Sequence, residues 1–211
     1  MGVNTKFHFT YSDDHKLALF LPGKTGTVHA TFILNHFDFK TNIHETNSEK
    51  IISEDDYVIH HHDEILPKCF EGYDAIYTTR NPYTRLISMY YHYKRMEESK
   101  GVFTKTFKED FVEKINKGWF HSNSGFKFVK KPKYFLRMEH LYHDYTQIPF
   151  IRNSKFNRSG LLYEFCNKKI HSKKQEIKSL TEYYTQDMAD YLYKTIKPYF
   201  DLVGYDKDSW R

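Results

Sequence analysis

The chain has 211 residues, 28% of them charged and 18% aromatic, with 32 Lys and Arg set against 27 Asp and Glu for a formal net charge of +5. That composition excludes a disordered chain and predicts one globular domain spanning 1–211, with a substantial core and no visible linker. The weak positive balance favours an anionic partner only mildly, and charges of both signs throughout give only a weak nucleic-acid footprint, so no nucleic-acid partner is expected.

Cys69 and Cys166 are the two cysteines, which excludes a disulfide framework and a zinc site built from several thiolates. No stretch reaches the roughly 20 apolar residues that span a bilayer, and the N-terminus lacks the basic-then-apolar order of a signal peptide. No membrane segment is expected, and cytoplasmic is the default compartment, although a removed anchor would leave no trace. Composition leaves the oligomeric state open.

In chain order, an apolar strand over Lys16–Leu21 is followed by a turn and a helix from Thr27 to Phe37, then by a polar connection running to residue 55. A second strand is expected at Tyr57–His61 and a third in "YDAIYTT", ending at Thr79. Asn81 as cap and Pro82 in the first turn mark the start of a helix through "YTRLISMYYHYKRM". The middle predicts one helix in "FKEDFVEKINKGWF" and a loop around 121–125. A fourth strand in "KYFLRM" comes next, then a basic loop over 168–178, then a closing helix with apolar spacing at Tyr184, Met188, Tyr191, Leu192 and Ile196. Short apolar strands alternating with helices predict an α/β fold with a parallel sheet of four or five strands flanked by helices.

Two segments carry chemistry. In "LALFLPGKTGTVHATFIL" a strand feeds a helix through a tight turn, so unpaired N–H groups and the helix dipole face whatever sits there, and they favour an anion. Gly26 permits close backbone approach, and Lys24 supplies an ammonium. Gly23, Lys24 and Thr25 match the second half of the nucleotide-triphosphate loop G-x-x-x-x-G-K-[ST], yet the first Gly falls on Ala18, inside the strand. In "RNPYTRLISMYY", Arg80 ends a strand and Ser88 lies two helical turns on, a pair suited to a phosphate monoester.

Together these segments resemble the sulfotransferases that use 3′-phosphoadenosine 5′-phosphosulfate (PAPS), closest to the carbohydrate and heparan type. "PGKTGT" is similar to the family's P-K-T-G-T loop with Gly23 added, and "RNPYTRLISMYY" matches R-[ND]-P-x-x-R-x-x-S-x-Y-Y at each specified position. "YFLRMEHLYHDY" and the ending "YFDLVGY" resemble later family elements, with Val203-Gly204-Tyr205 where the family has Phe-Gly-Tyr. The resemblance implies a P-loop, nucleotide-kinase-like core. Gly23, Lys24, Thr25, Gly26 and Thr27 would hold the phosphosulfate, Arg80 and Ser88 the 3′-phosphate, and Lys168 and Lys169 would add charge. The spent donor would be 3′-phosphoadenosine 5′-phosphate (PAP), and no metal is required.

Sulfuryl transfer to an alcohol also needs a base, and a His with a pKa near neutrality suits that task. "YVIHHHDE" places His60, His61 and His62 at the carboxyl end of a strand, where ligands sit in open α/β sheets. The family carries a catalytic His in this part of the chain. His62 is the expected base with His60 beside it, two residues away on the same face of a strand, and His61 is held in reserve. The expected acceptor is a hydroxyl compound, a sugar or polysaccharide, with Trp119 and other aromatic residues of 97–126 around it. The alternatives are a P-loop-type ATP-dependent kinase and a catalytically inactive nucleotide-binding module.

Overall fold

The computed structural model describes residues 4–22, 24–47, 70–98, 104–122, 126, 131–168 and 179–211. They form a mixed α/β structure with two compact units, one within Met1–Thr79 and Phe128–Ile170, the other within Arg80–Lys127 and His171–Arg211. Among the described residues no helix is long and apolar enough to cross a membrane.

The first unit is built on a five-stranded sheet of β1 (Asn4–Ser12), β2 (Leu17–Phe20), β3 (Lys40–Asn47), β4 (Asp74–Thr79) and β5 (Pro132–Arg137), in the order β3-β1-β2-β4-β5. β2, β4 and β5 are parallel, whereas β1 runs antiparallel to both β2 and β3. The expectation of an all-parallel sheet is therefore corrected to a mixed one. The cause is local: four residues separate Ser12 from Leu17, a link too short for a parallel crossover. Lys16, at φ 49, lies in the left-handed region and closes that turn. The polar connection expected after residue 38 contains β3, whose eight residues all pair with β1 through the main chain. The strand expected at 57–61 lies outside the described residues.

β2 is buried along its whole length, as a strand with both faces covered must be. Its Leu17 and Leu19 share one face with Ile76 and Leu136. Against that face pack α1 (Thr27–Leu34) through Ala30, Ile33 and Leu34, α5 (Leu141–Thr146) through Leu141 and Tyr145, α6 (Pro149–Arg152) through Ile151, and α8 (Leu161–Asn167) through Leu162. Between them α7 (Lys155–Arg158) contributes the partly buried Phe156. Ala18, Phe20, Ala75 and Tyr77 form the opposite face with Phe70. Each fully buried large side chain contributes about 1.5–3 kcal/mol, so the C-terminal ends of β2 and β4 rest on a rigid base.

The second unit contains α2 (Pro82–Glu98), α3 (Phe107–Asn116), α4 (Trp119–Ser122), α9 (Gln186–Thr195) and α10 (Lys197–Val203). A Thr106–Glu109 capping box starts α3, and Gly118 at φ 61 ends it and separates α4. The single helix expected here is thus two, and α4 takes up His121 and Ser122 of the expected loop. The core is aromatic: Tyr83, Phe107 and Phe111 each pack edge-on against Tyr184. The closing helix is divided at Ile196, because Pro198 has no N–H to continue α9.

Candidate functional site

In the first unit the chain leaves β2 through a tightly held turn. The Thr25 hydroxyl donates to the Pro22 carbonyl at 2.5 Å, and its oxygen lies 2.6 Å from Thr78 Oγ1. A hydroxyl has one proton, so Thr78 must donate to Thr25. Both threonines are buried, and this pair fastens the turn to the end of β4. Lys24 holds a left-handed φ of 65, an uncommon conformation for any residue other than glycine. Gly26 follows at φ 83 as the N-cap of α1.

Gly26 is required twice over. Its φ is one that other residues adopt at a cost, and a Cβ added there would lie 1.8 Å from Met138 Sδ. Met138 directly follows β5, and its N–H donates to the Thr79 carbonyl at 2.9 Å. Arg137 beside it makes a two-pronged ion pair with the buried Asp144, at 2.6 and 3.0 Å, and also donates its main-chain N–H to that carboxylate. This locks α5 against the end of β5 and holds the Met138 main chain beside the turn.

The first hydrogen bond of α1 runs from Ala30 N–H to Gly26 O, so the N–H groups of Thr27, Val28 and His29 lie ahead of the helix ladder. Gly26 as the N-cap brings no side chain to cap them. The turn therefore has the makings of an anion cradle: helix-start amides, a positive dipole end and the Lys24 side chain. His29 is buried, and its Nε2 donates to the Phe165 carbonyl at 2.8 Å, tying α1 to α8. Burial holds its pKa below the usual histidine value, against the opposing pull of that hydrogen bond. Ala18, where a triphosphate loop would have its first Gly, pairs with Ala75 inside the sheet and cannot take part in the turn.

In the second unit, Asn81 caps α2 as its residue type predicts: Oδ1 accepts from Tyr83 N–H at 2.9 Å, and Nδ2 donates to Ser209 Oγ at 2.8 Å. Tyr83, fully buried, donates its hydroxyl to the Lys207 carbonyl at 2.7 Å, so the C-terminal residues brace the helix start. Arg80 Nε donates to Thr84 Oγ1 at 3.1 Å. Ser88, partly buried, lies one turn beyond Thr84 on the same face of α2. Arg85 is wholly buried, with its guanidinium carbon 4.5 Å from the Phe126 ring centre, and burial lowers its pKa.

Lys24, Thr25, Gly26 and Thr27 thus lie together in one turn, and Arg80 and Ser88 belong to one helix start. Lys168 is exposed at the end of α8, 6.0 Å from the Phe165 ring. Gly23, His60, His61, His62 and Lys169 lie outside the described residues. Cys166 is partly buried, and burial pushes its thiol up to about 12, which leaves almost no thiolate at neutral pH. Thr78, Met138 and Thr84 escaped sequence reading. The first two act across the fold, and Thr84 occupies an unspecified position of the Arg–Ser motif. No family model matches the chain, and no curated protein or solved structure matches it significantly, so the sulfotransferase resemblance rests on the residues of these two segments.

Proposed function

We propose that the protein is a PAPS-dependent sulfotransferase that moves a sulfuryl group to a hydroxyl of a sugar or polysaccharide. The observation that carries this reading is the Thr25–Thr78 hydrogen bond, which holds the Lys24 turn to the end of β4, two residues ahead of Arg80 in the chain. The parallel register of β2 with β4, from Leu17↔Asp74 to Phe20↔Tyr77, supports it, because ligands of open α/β sheets sit beyond such carboxyl ends. The buried, strand-bound Ala18 speaks against an ATP-using loop of the triphosphate type.

In this mechanism the turn amides and Lys24 hold the phosphosulfate, and Arg80 with Ser88 holds the 3′-phosphate. The acceptor oxygen attacks sulfur in line, its proton passes to His62, and the bond from sulfur to the bridging oxygen breaks to release PAP. Lys24 offsets the charge that gathers on that bridging oxygen. The strand-turn-helix order of β2 and α1 supports a nucleotide-kinase-like core.

Thermal melting tests the reading, since a ligand that binds only the native state raises the midpoint with its affinity. PAP should stabilise the protein more than adenosine 5′-phosphate or ATP with magnesium. Stabilisation by ATP with magnesium and none by PAP would replace this function with a kinase. In a transfer assay with PAPS, His62→Ala should lose turnover while keeping PAP affinity. Full retention of turnover would remove His62 as the base.

A further inference from the structure

We infer that Thr84 is a positioning residue that sets the Arg80 guanidinium, so that discrimination between donors with and without a 3′-phosphate depends on the Thr84 hydroxyl. The inference rests on the proposed reading of Arg80 and Ser88 as the 3′-phosphate grip.

The hydroxyl is wired on both sides. Thr84 Oγ1 donates to the Asn81 carbonyl at 3.0 Å, which aims its proton back along the helix and leaves its lone pairs to accept from Arg80 Nε at 3.1 Å. A branched Cβ leaves Thr few rotamers on a helix, so the oxygen stands at one place. Arg80 is fixed from the main chain as well, because the buried Tyr199 directs its hydroxyl to the Arg80 carbonyl at 3.4 Å. The guanidinium is planar, so holding Nε fixes the plane in which its terminal nitrogens lie. Spacing adds the direction: Thr84 and Ser88 lie one turn apart on α2, so the hydroxyl that receives Arg80 Nε shares a helix face with the second phosphate ligand. Thr84 touches no part of the donor in this arrangement; it acts through Arg80.

The experiment measures PAP and adenosine 5′-phosphate affinity by titration calorimetry on the full chain, for the wild type and for Thr84→Val, Thr84→Ser, Arg80→Ala and the double variant Arg80→Ala/Thr84→Val. Hydrogen bonds to charged groups make Thr84→Val expected to weaken PAP roughly tenfold. Adenosine 5′-phosphate, which lacks the 3′-phosphate, should bind this variant as it binds the wild type. Thr84→Ser, which keeps the hydroxyl, should restore most of the PAP affinity, and the double variant should be no weaker than Arg80→Ala alone.

An unchanged PAP-to-adenosine 5′-phosphate ratio in Thr84→Val, where the wild type discriminates, overturns the inference and leaves the proposed function standing. Additive losses in the double variant also overturn it, because they separate Thr84 from Arg80. A wild type that does not distinguish the two ligands overturns both the inference and the reading beneath it.

Discussion

The turn after β2 and the start of α2, the two corners proposed to meet an anion, are built differently. The Lys24 turn owes its shape to the main chain: left-handed residues at Lys24 and Gly26 flank a buried Thr25, and a Cβ at Gly26 would meet the Met138 thioether. The Arg80 corner sits on an ordinary helix with a standard Asn cap, and the selectivity proposed for it would lie in side chains. Substitution in the first should therefore disturb the fold as well as the chemistry. Substitution in the second should reach binding while stability hardly moves.

The sharpest contrast comes from the two cations. Lys24→Ala should lower kcat by about 10²–10³-fold with a much smaller change in PAP affinity, because the ammonium acts on charge that develops only as the bridging bond breaks. An effect confined to the donor KM would show Lys24 to be a ground-state ligand. Arg80→Lys should instead weaken PAP by about tenfold or more and leave the thermal midpoint near the wild-type value, since a point charge cannot reproduce the fork. Equal loss of adenosine 5′-phosphate affinity would contradict the assignment of Arg80 to the 3′-phosphate.

The main-chain character of the first corner can be broken at Gly26. Gly26→Ala should cost about 1–2 kcal/mol for the left-handed backbone alone, and more from contact with Met138 Sδ. Urea melts of Gly26→Ala, Met138→Ala and the pair separate the two causes: the double variant should be more stable than the sum of the single losses predicts. Strict additivity would place Met138 away from the strain. Thr25→Val should follow with a loss of about 1–3 kcal/mol, because it leaves the Pro22 carbonyl and the Thr78 hydroxyl without their partner, and Thr25→Ser should recover most of it.

Those same features mark what could be read in the sequence. Asn81-Pro82 announces a helix start by local chemistry, and the apolar run of β2 announces a buried strand; both are where sequence places them. β3 has no apolar alternation to betray it, since its place in the sheet comes from main-chain pairing with β1. The closing helix kept its 3.6 period across the break, so Pro198 carried the only signal, and it was outweighed by the spacing through Ile196. Residues proposed to grip an anion are types with charge or N–H groups and can be recognised as such. Those that brace the two corners, Thr78, Met138, Thr84 and Ser209, are ordinary residues made important by partners tens of positions away or by a helix face.

The smallest effect concerns pH and belongs to the first corner alone. His29 is 8% exposed at the start of α1 and gives its Nε2 proton to the Phe165 carbonyl, so the native state favours the neutral ring. Its pKa is lowered by burial, the larger cause, while the unfolded chain keeps the ordinary value near 6.5. Below that value the unfolded state binds the extra proton first. The His29 contribution to stability is therefore complete above about pH 6.5 and is lost as pH falls below it, at up to about 1.4 kcal/mol per pH unit until the native ring also titrates. The chain has thirteen histidines, so the readout is the difference between the wild type and His29→Gln, whose amide can still donate to Phe165 O. Urea melts from pH 8 to pH 5 should give a shallower acid loss for the variant. Superimposable slopes would show that His29 is protonated as readily in the fold as out of it, and would leave no pH-sensitive element in the helix that follows the Lys24 turn.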